Sequence, residues 1–205
     1  WSDDVASMRR DLHGWLARMA GEADWVPTYF EYGFGRIPGE RDPASSPEPV
    51  ELDGGFSLRG AIDLIETHAT SGELRVTDYK TGRVPDRLAG LVTGGGRVLQ
   101  PLLYALAAER ALGQPAREGR LFYCTTTGSF VSHHVRLDDS TRRAGSEVLE
   151  IIDRAVSTGT RMAAPADRAC EHCDFTAVCG SEVARRVEHK KQRPLADLVE
   201  LRSRK

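Results

Sequence analysis

The ten residues LRVTDYKTGR, 74–83, constrain this chain more than any other stretch. An apolar β-rich run carries an acid and an amine two positions apart and then breaks at glycine. Side chains alternate across a strand, so Asp78 and Lys80 share one face and Tyr79 points to the other. A strand shaped this way needs a sheet around it. The preceding β-rich segment, FSLRGAIDLIE, is separated from it by the polar turn THATSGE, which predicts a hairpin. In that hairpin Asp63 lies beside Asp78, and two carboxylates at that separation repel each other unless a cation sits between them.

The rest of the chain supplies layers for that sheet. Val5, Met8, Leu12, Trp15, Leu16 and Met19 recur at helical spacing, so residues 3–22 form an amphipathic helix. VPTYFEYGFG opens a strand, and the Pro-, Gly- and Ser-rich stretch after it reads as a loop. The triple glycine in DRLAGLVTGGGRV predicts a mobile loop ahead of the helix VLQPLLYALAAERALG. GRLFYCTT and SFVSHHVRL are two further strands, and DDSTRRAGSEVLEIIDRAVSTG begins with capping residues and continues as a long helix. The order of elements implies an α/β core with a mixed sheet and flanking helices.

Hard oxygen ligands such as Asp63 and Asp78 suit Mg²⁺ or Mn²⁺. A metal held there lowers the pKa of a bound water and neutralises charge on a phosphoryl transition state, and Lys80 orients the nucleophile or stabilises that charge. This is the chemistry of phosphodiester hydrolysis. Alone, an acid–x–lysine on an exposed strand is usually a solvated pair worth under about 1 kcal/mol; Asp63 and the downstream helix raise the catalytic reading. Tyr104 read by itself suits core filling, and Gln100 a surface place near the helix start. Gly60 and Gly82 fit turns, bulges or a close approach of substrate backbone.

Three of the four cysteines fall in CEHCDFTAVC, with the spacing Cys170-x₂-Cys173-x₅-Cys179. Such clustering in a reducing compartment points to a metal or an iron–sulfur cluster rather than a disulfide framework. Zn²⁺ held by these thiolates and His172 or another histidine is the competing reading. Cys124, inside an expected strand, reads as a small buried hydrophobe. His13 and Glu31 are not taken as ligands, and His133 and His134, adjacent on a strand, point to opposite faces. The chain's net charge of −2 argues neither for nor against a polyanionic partner, although residues 181–205 carry 8 Lys and Arg against 4 Asp and Glu. No apolar run approaches a membrane span of about 20 residues, and no signal-peptide pattern stands at the start, so a cytoplasmic protein with no membrane partner is expected. The P-loop motif that would indicate nucleotide hydrolysis is missing.

GAID, then DYKTG, then QPLLY resembles the RecB-like branch of the PD-(D/E)xK nucleases, seen in AddB- and RecB-type helicase–nucleases and in Cas4-like exonucleases. The resemblance implies a restriction-endonuclease-like core. Asp63 and Asp78 would be metal ligands with the Tyr79 backbone carbonyl, Lys80 the catalytic lysine, and Gln100 and Tyr104 active-site residues on one helical face. It also implies that Cys170, Cys173 and Cys179 hold a 4Fe–4S cluster whose fourth ligand lies upstream of this chain, with Phe175 shielding it. The expected organisation is a nuclease core over 1–160 whose N-terminal part is missing, an irregular cysteine segment over 161–182, and a charged helix or tail over 183–205. The expected activity is metal-dependent, exonuclease-like DNA cleavage in repair or recombination, on single strands and beside a helicase domain or subunit, and on that resemblance the protein is expected to be nucleoid-associated. The rivals are a catalytically inactive DNA-binding or scaffolding module of the same fold and a zinc-ribbon interaction module on an unrelated α/β domain.

Overall fold

The structure is a computed structural model that describes residues 1–86, 88–159, 164–166, 169–171, 173–180, 182–189 and 195–204. Helix α1 (Ser2–Ala20) leads into strand β1 (Trp25–Phe34), a short pair β2 (Val50–Leu52) and β3 (Phe56–Leu58), and then β4 (Gly60–His68) and β5 (Leu74–Lys80). Helix α2 (Gln100–Leu112) crosses to β6 (Ala116–Tyr123), followed by β7 (Ser132–Arg136) and α3 (Asp139–Ser157). Among the described residues of the C-terminal part are the helices α4 (Thr176–Cys179), α5 (Val183–Glu188) and α6 (Ala196–Ser203). None of the described helices is long and apolar enough to cross a membrane.

The main sheet has the order β1-β4-β5-β6-β7, and β2 and β3 pair separately. The expected hairpin is present as the antiparallel β4–β5 pair, while β5 and β6 run parallel and make the sheet mixed. A parallel neighbour requires a crossover, and α2 supplies it. This is an α/β restriction-endonuclease-like arrangement with helices on both faces. Leu74 and Val76 face α2 and share a core with Ala105, Ala107 and Ala108. Gly119 of β6 makes this packing close, since a Cβ there would lie 1.9 Å from the Pro101 carbonyl oxygen. Outside α2 lies α3, begun by an Asp138 carboxylate that accepts from the Ser140 and Thr141 amides while the Thr141 hydroxyl accepts from the Asp138 amide.

Arg75, Thr77 and Tyr79 alternate to the opposite face, under α1. Glu66, which is fully buried, accepts from Arg75 Nε at 2.8 Å, Thr77 Oγ1 at 3.0 Å and Arg120 Nη2 at 3.2 Å. Arg120 also reaches Glu22, just past the end of α1, at 2.7 Å. Two glutamates and two arginines thus close a neutral network that ties α1 to β4, β5 and β6. Along the rest of α1 the apolar face is only partly covered: Trp15 and Met19 pack on Tyr79, but Val5, Met8, Leu12 and Leu16 are exposed.

The triple glycine departs from the expected mobile loop. Gly94–Gly96 forms a 3₁₀ turn just before α2, and α6 packs on it. Gly95 has φ +66°, and its would-be Cβ lies 3.2 Å from the Arg202 backbone, so the turn demands a residue without a side chain. Its amide donates to the Arg204 carbonyl at 2.8 Å. Helix α6 is held to α3 as well, through Arg154 with Asp197 and Glu200.

Candidate active site

Four of the residues singled out by sequence meet at one end of the sheet. The β4–β5 register pairs Leu64 with Thr77, so one further step places Asp63 opposite Asp78. The strands part there, and the Asp63 carboxylate takes over the ladder by accepting the Tyr79 amide at 2.7 Å. Amide and carbonyl of one strand residue leave by the same edge, so the Tyr79 carbonyl also faces the Asp63 side. The Lys80 carbonyl faces the other way and accepts the Cys124 amide at 3.0 Å.

On the α2 face, the Lys80 ammonium lies 2.6 Å from Asp78 Oδ2 and donates to Gln100 Oε1 at 2.8 Å. Gln100 Nε2 in turn donates to Asp78 Oδ1 at 3.0 Å. The aspartate, lysine and glutamine therefore form a closed ring, in which Gln100 fixes both of its neighbours from the first turn of α2. Asp78 is buried, yet its Oδ2 has no aligned hydrogen bond and only the ammonium against it. Burial pushes the Asp78 carboxyl above the usual range; Lys80 opposes this, and the Asp63 charge adds to it. Lys80 remains about one-third exposed, so the ring opens to solvent on its side.

Tyr104 lies one turn further along α2 and does not join the ring. Its aromatic ring packs edge-on to Phe34 with centroids 6.3 Å apart, and against Gly60, where a Cβ would come within 3.3 Å of it. Gly60 thus has a packing role. Gly82 is different: a Cβ there would meet nothing within 4 Å, although its carbonyl edge lies close to Gly128.

Sequence reasoning passed over Tyr123, which lies opposite Lys80 in the β5–β6 register. Its alternation in RLFYC was readable, but its strand partner was not. Cys124 also differs from expectation: β6 ends at Tyr123, and Cys124 sits just beyond it, half-buried. Burial raises its thiol pKa, and the charges of Asp11 and Asp63 raise it further. Glu31 pairs with Arg41 at 3.3 Å, His13 is exposed on α1, and His134 bonds Glu118 at 3.1 Å while its neighbour His133 is buried.

The two aspartates and the Tyr79 carbonyl form a hard-oxygen donor set suited to Mg²⁺ or Mn²⁺. Mutual repulsion and the unaligned Oδ2 of Asp78 are the features a cation would relieve. Among the described residues no three His, Cys, Asp or Glu side chains converge to hold a metal, and this includes the cysteine segment. Cys170 is exposed, Cys173 and Cys179 are half-buried, and Phe175 is 68% exposed rather than covering them, because the four-residue α4 has no core beneath it. His172 lies outside the described residues.

The sequence pattern of the PD-(D/E)XK nuclease superfamily matches residues 1–180. The chain belongs to the PD-(D/E)XK nuclease superfamily. No curated protein matches it. Superfamily membership accounts for the mixed sheet with its acid–x–lysine strand, and it makes a nuclease acting on DNA with divalent metal the general expectation for the chain.

Proposed function

We propose that this PD-(D/E)XK protein is a metal-dependent DNA nuclease whose working residues are Asp63, Asp78 and Lys80, with Gln100 positioning the last two. The observation that carries this reading is the convergence of the two carboxylates and the ammonium at the parting ends of β4 and β5. Asp63, Asp78 and the Tyr79 carbonyl would hold Mg²⁺ or Mn²⁺. The bound metal would supply a water of lowered pKa and charge neutralisation at the phosphate. Lys80 would leave Asp78 for the attacking water or the phosphoryl oxygens, because the carboxylate it now neutralises would be facing a cation. The attacking water would give up a proton to solvent as its oxygen bonds to phosphorus, and the bond to the leaving sugar oxygen would break as that oxygen takes a proton from solvent. The short tether from Gln100 to Lys80, 2.8 Å, limits how far the ammonium strays between turnovers. Tyr104 supports the α2 face by packing.

In finer detail, this reading favours a RecB-, AddB- or Cas4-like enzyme that trims single-stranded DNA beside a helicase in repair or recombination. Its support is the ordered set GAID, DYKTG and QPLLY. The same reading divides the chain into a core over 1–160, a cysteine segment over 161–182 and a C-terminal portion over 183–205. The likeness to the RecB-like branch, whose members hold a 4Fe–4S cluster on three cysteines of this spacing, favours such a cluster over zinc at Cys170, Cys173 and Cys179, with a fourth ligand from elsewhere. Brown protein with iron and acid-labile sulfide is expected, and colourless protein with stoichiometric zinc would overturn that part. For the nuclease itself, end-labelled single-stranded DNA is incubated with Mg²⁺ or Mn²⁺. Cleavage by the wild type and its loss in Asp78→Asn is the expected outcome, and equal cleavage by both defeats the assignment.

A further inference from the structure

On the far side of the β5 end from Asp78 lies an open groove of about 660 Å³. Met8, Leu12 and Trp15 of α1 form one wall, and Tyr79 and Cys124 lie at the strand ends. Trp15 meets Tyr79 edge-on, with centroids 6.0 Å apart. The groove is built rather than left over from loose packing: Asp11 of α1 accepts the Thr126 amide at 2.8 Å and its hydroxyl at 2.6 Å, which fastens the helix to the loop after β6. Met8 and Leu12 nevertheless remain 65% and 58% exposed, so an apolar surface faces outward beside the candidate active site.

We propose that this groove is a subsite for an unstacked nucleobase of the strand being cleaved, an inference that rests on the nuclease reading and narrows its substrate to single-stranded or splayed ends. Continuity is the first argument. Tyr79 and Thr81 flank Lys80 in sequence and alternate to the groove side, and Cys124 is bonded through its amide to the Lys80 carbonyl. Past Lys80 the loop after β6 lies along one edge of the chain, with the Thr125 hydroxyl donating to the Thr81 carbonyl at 3.0 Å, while the side-chain direction of Gly82 is empty. A strand with a phosphate at Asp63 and Asp78 therefore needs only to pass over the end of β5 to deliver a base.

Charge is the second argument. Among the described residues the groove lining holds no lysine or arginine and one charged residue, Asp11, so it repels a phosphate and suits the uncharged part of a nucleotide. Base faces stack on aromatic and thioether surfaces such as Trp15 and Met8, while base edges find the hydroxyls of Thr81, Thr125 and Thr127. A base inside a duplex stack presents neither face and cannot enter.

The test uses Met8→Ala/Leu12→Ala, two exposed positions whose truncation leaves the core intact, checked by an unchanged melting temperature. Binding of a short labelled oligothymidylate is measured by anisotropy in EDTA, where cleavage cannot interfere, beside an abasic strand of equal length. The double variant is expected to bind the base-bearing strand on the order of tenfold more weakly and the abasic strand as the wild type does. Equal binding of oligothymidylate by both proteins overturns the subsite, as does an equal loss for the abasic strand. A wild-type dimer that the double variant converts to monomer overturns it in favour of a second copy covering the groove. The nuclease reading fails separately, if the wild type leaves DNA uncut in Mg²⁺ and Mn²⁺; cleavage that persists alongside equal binding removes the subsite alone.

Discussion

Strands β4 and β5 carry two cross-strand charge clusters of opposite character. Glu66 pairs with Arg75, and three residues along β4 Asp63 comes opposite Asp78. Around Glu66 the charges balance: Arg75, Thr77 and Arg120 donate to its carboxylate, and Arg120 continues to Glu22. Around Asp78 they do not, because two carboxylates lie beside one ammonium that pairs with Asp78, and a buried oxygen is left without an aligned donor. A saturated cluster holds elements together, since any change leaves a buried charge unpaired. An unsaturated one keeps affinity in reserve for something that arrives from outside.

Replacing one member of each cluster should separate the two roles. Asp78→Asn should lower cleavage by on the order of 10³-fold, with a melting temperature equal to or above that of the wild type, because it removes a carboxylate that burial disfavours. A large fall in both activity and stability would erase the contrast. Glu66→Gln should do the reverse. Urea unfolding is expected to show a loss of about 3–5 kcal/mol, as two buried arginines lose their shared counter-charge. An unperturbed midpoint would mean that the network is dispensable.

A smaller effect concerns pH and follows from the raised pKa of Asp78. A carboxyl whose folded pKa lies above its unfolded value costs stability when ionised, and that cost disappears as pH falls below the unfolded value. The stability advantage of Asp78→Asn should therefore be greatest near neutral pH and shrink on acidification. An advantage that grew on acidification would contradict the assigned direction.

The sequence exposed one cluster and concealed the other for a physical reason. Asp78 and Lys80 are two residues apart on one strand and Asp63 is one hairpin away, so alternation and a short turn bring them together. The second cluster draws Glu22, Glu66, Arg75 and Arg120 from a helix end and three strands, and each of them alone resembles a solvated charge on a β-segment. The amphipathic pattern of α1 correctly gave a helix, but periodicity cannot tell which apolar residues find a partner, and Met8 and Leu12 do not. Gln100 was readable as a helix-start residue facing the same way as Tyr104, whereas its bridge between acid and amine needed the register of β5 against α2. The glycine run misled because composition records missing side chains and not what presses into the space they vacate.

That last feature couples distant parts of the chain. The backbone of Arg202 occupies the volume a methyl group would claim at Gly95, and the amide there is spoken for by Arg204. Because it is main chain that fills the space, no change of side chain at Arg202 makes room for one at Gly95: the final helix would have to withdraw as a body, giving up its grip on the turn.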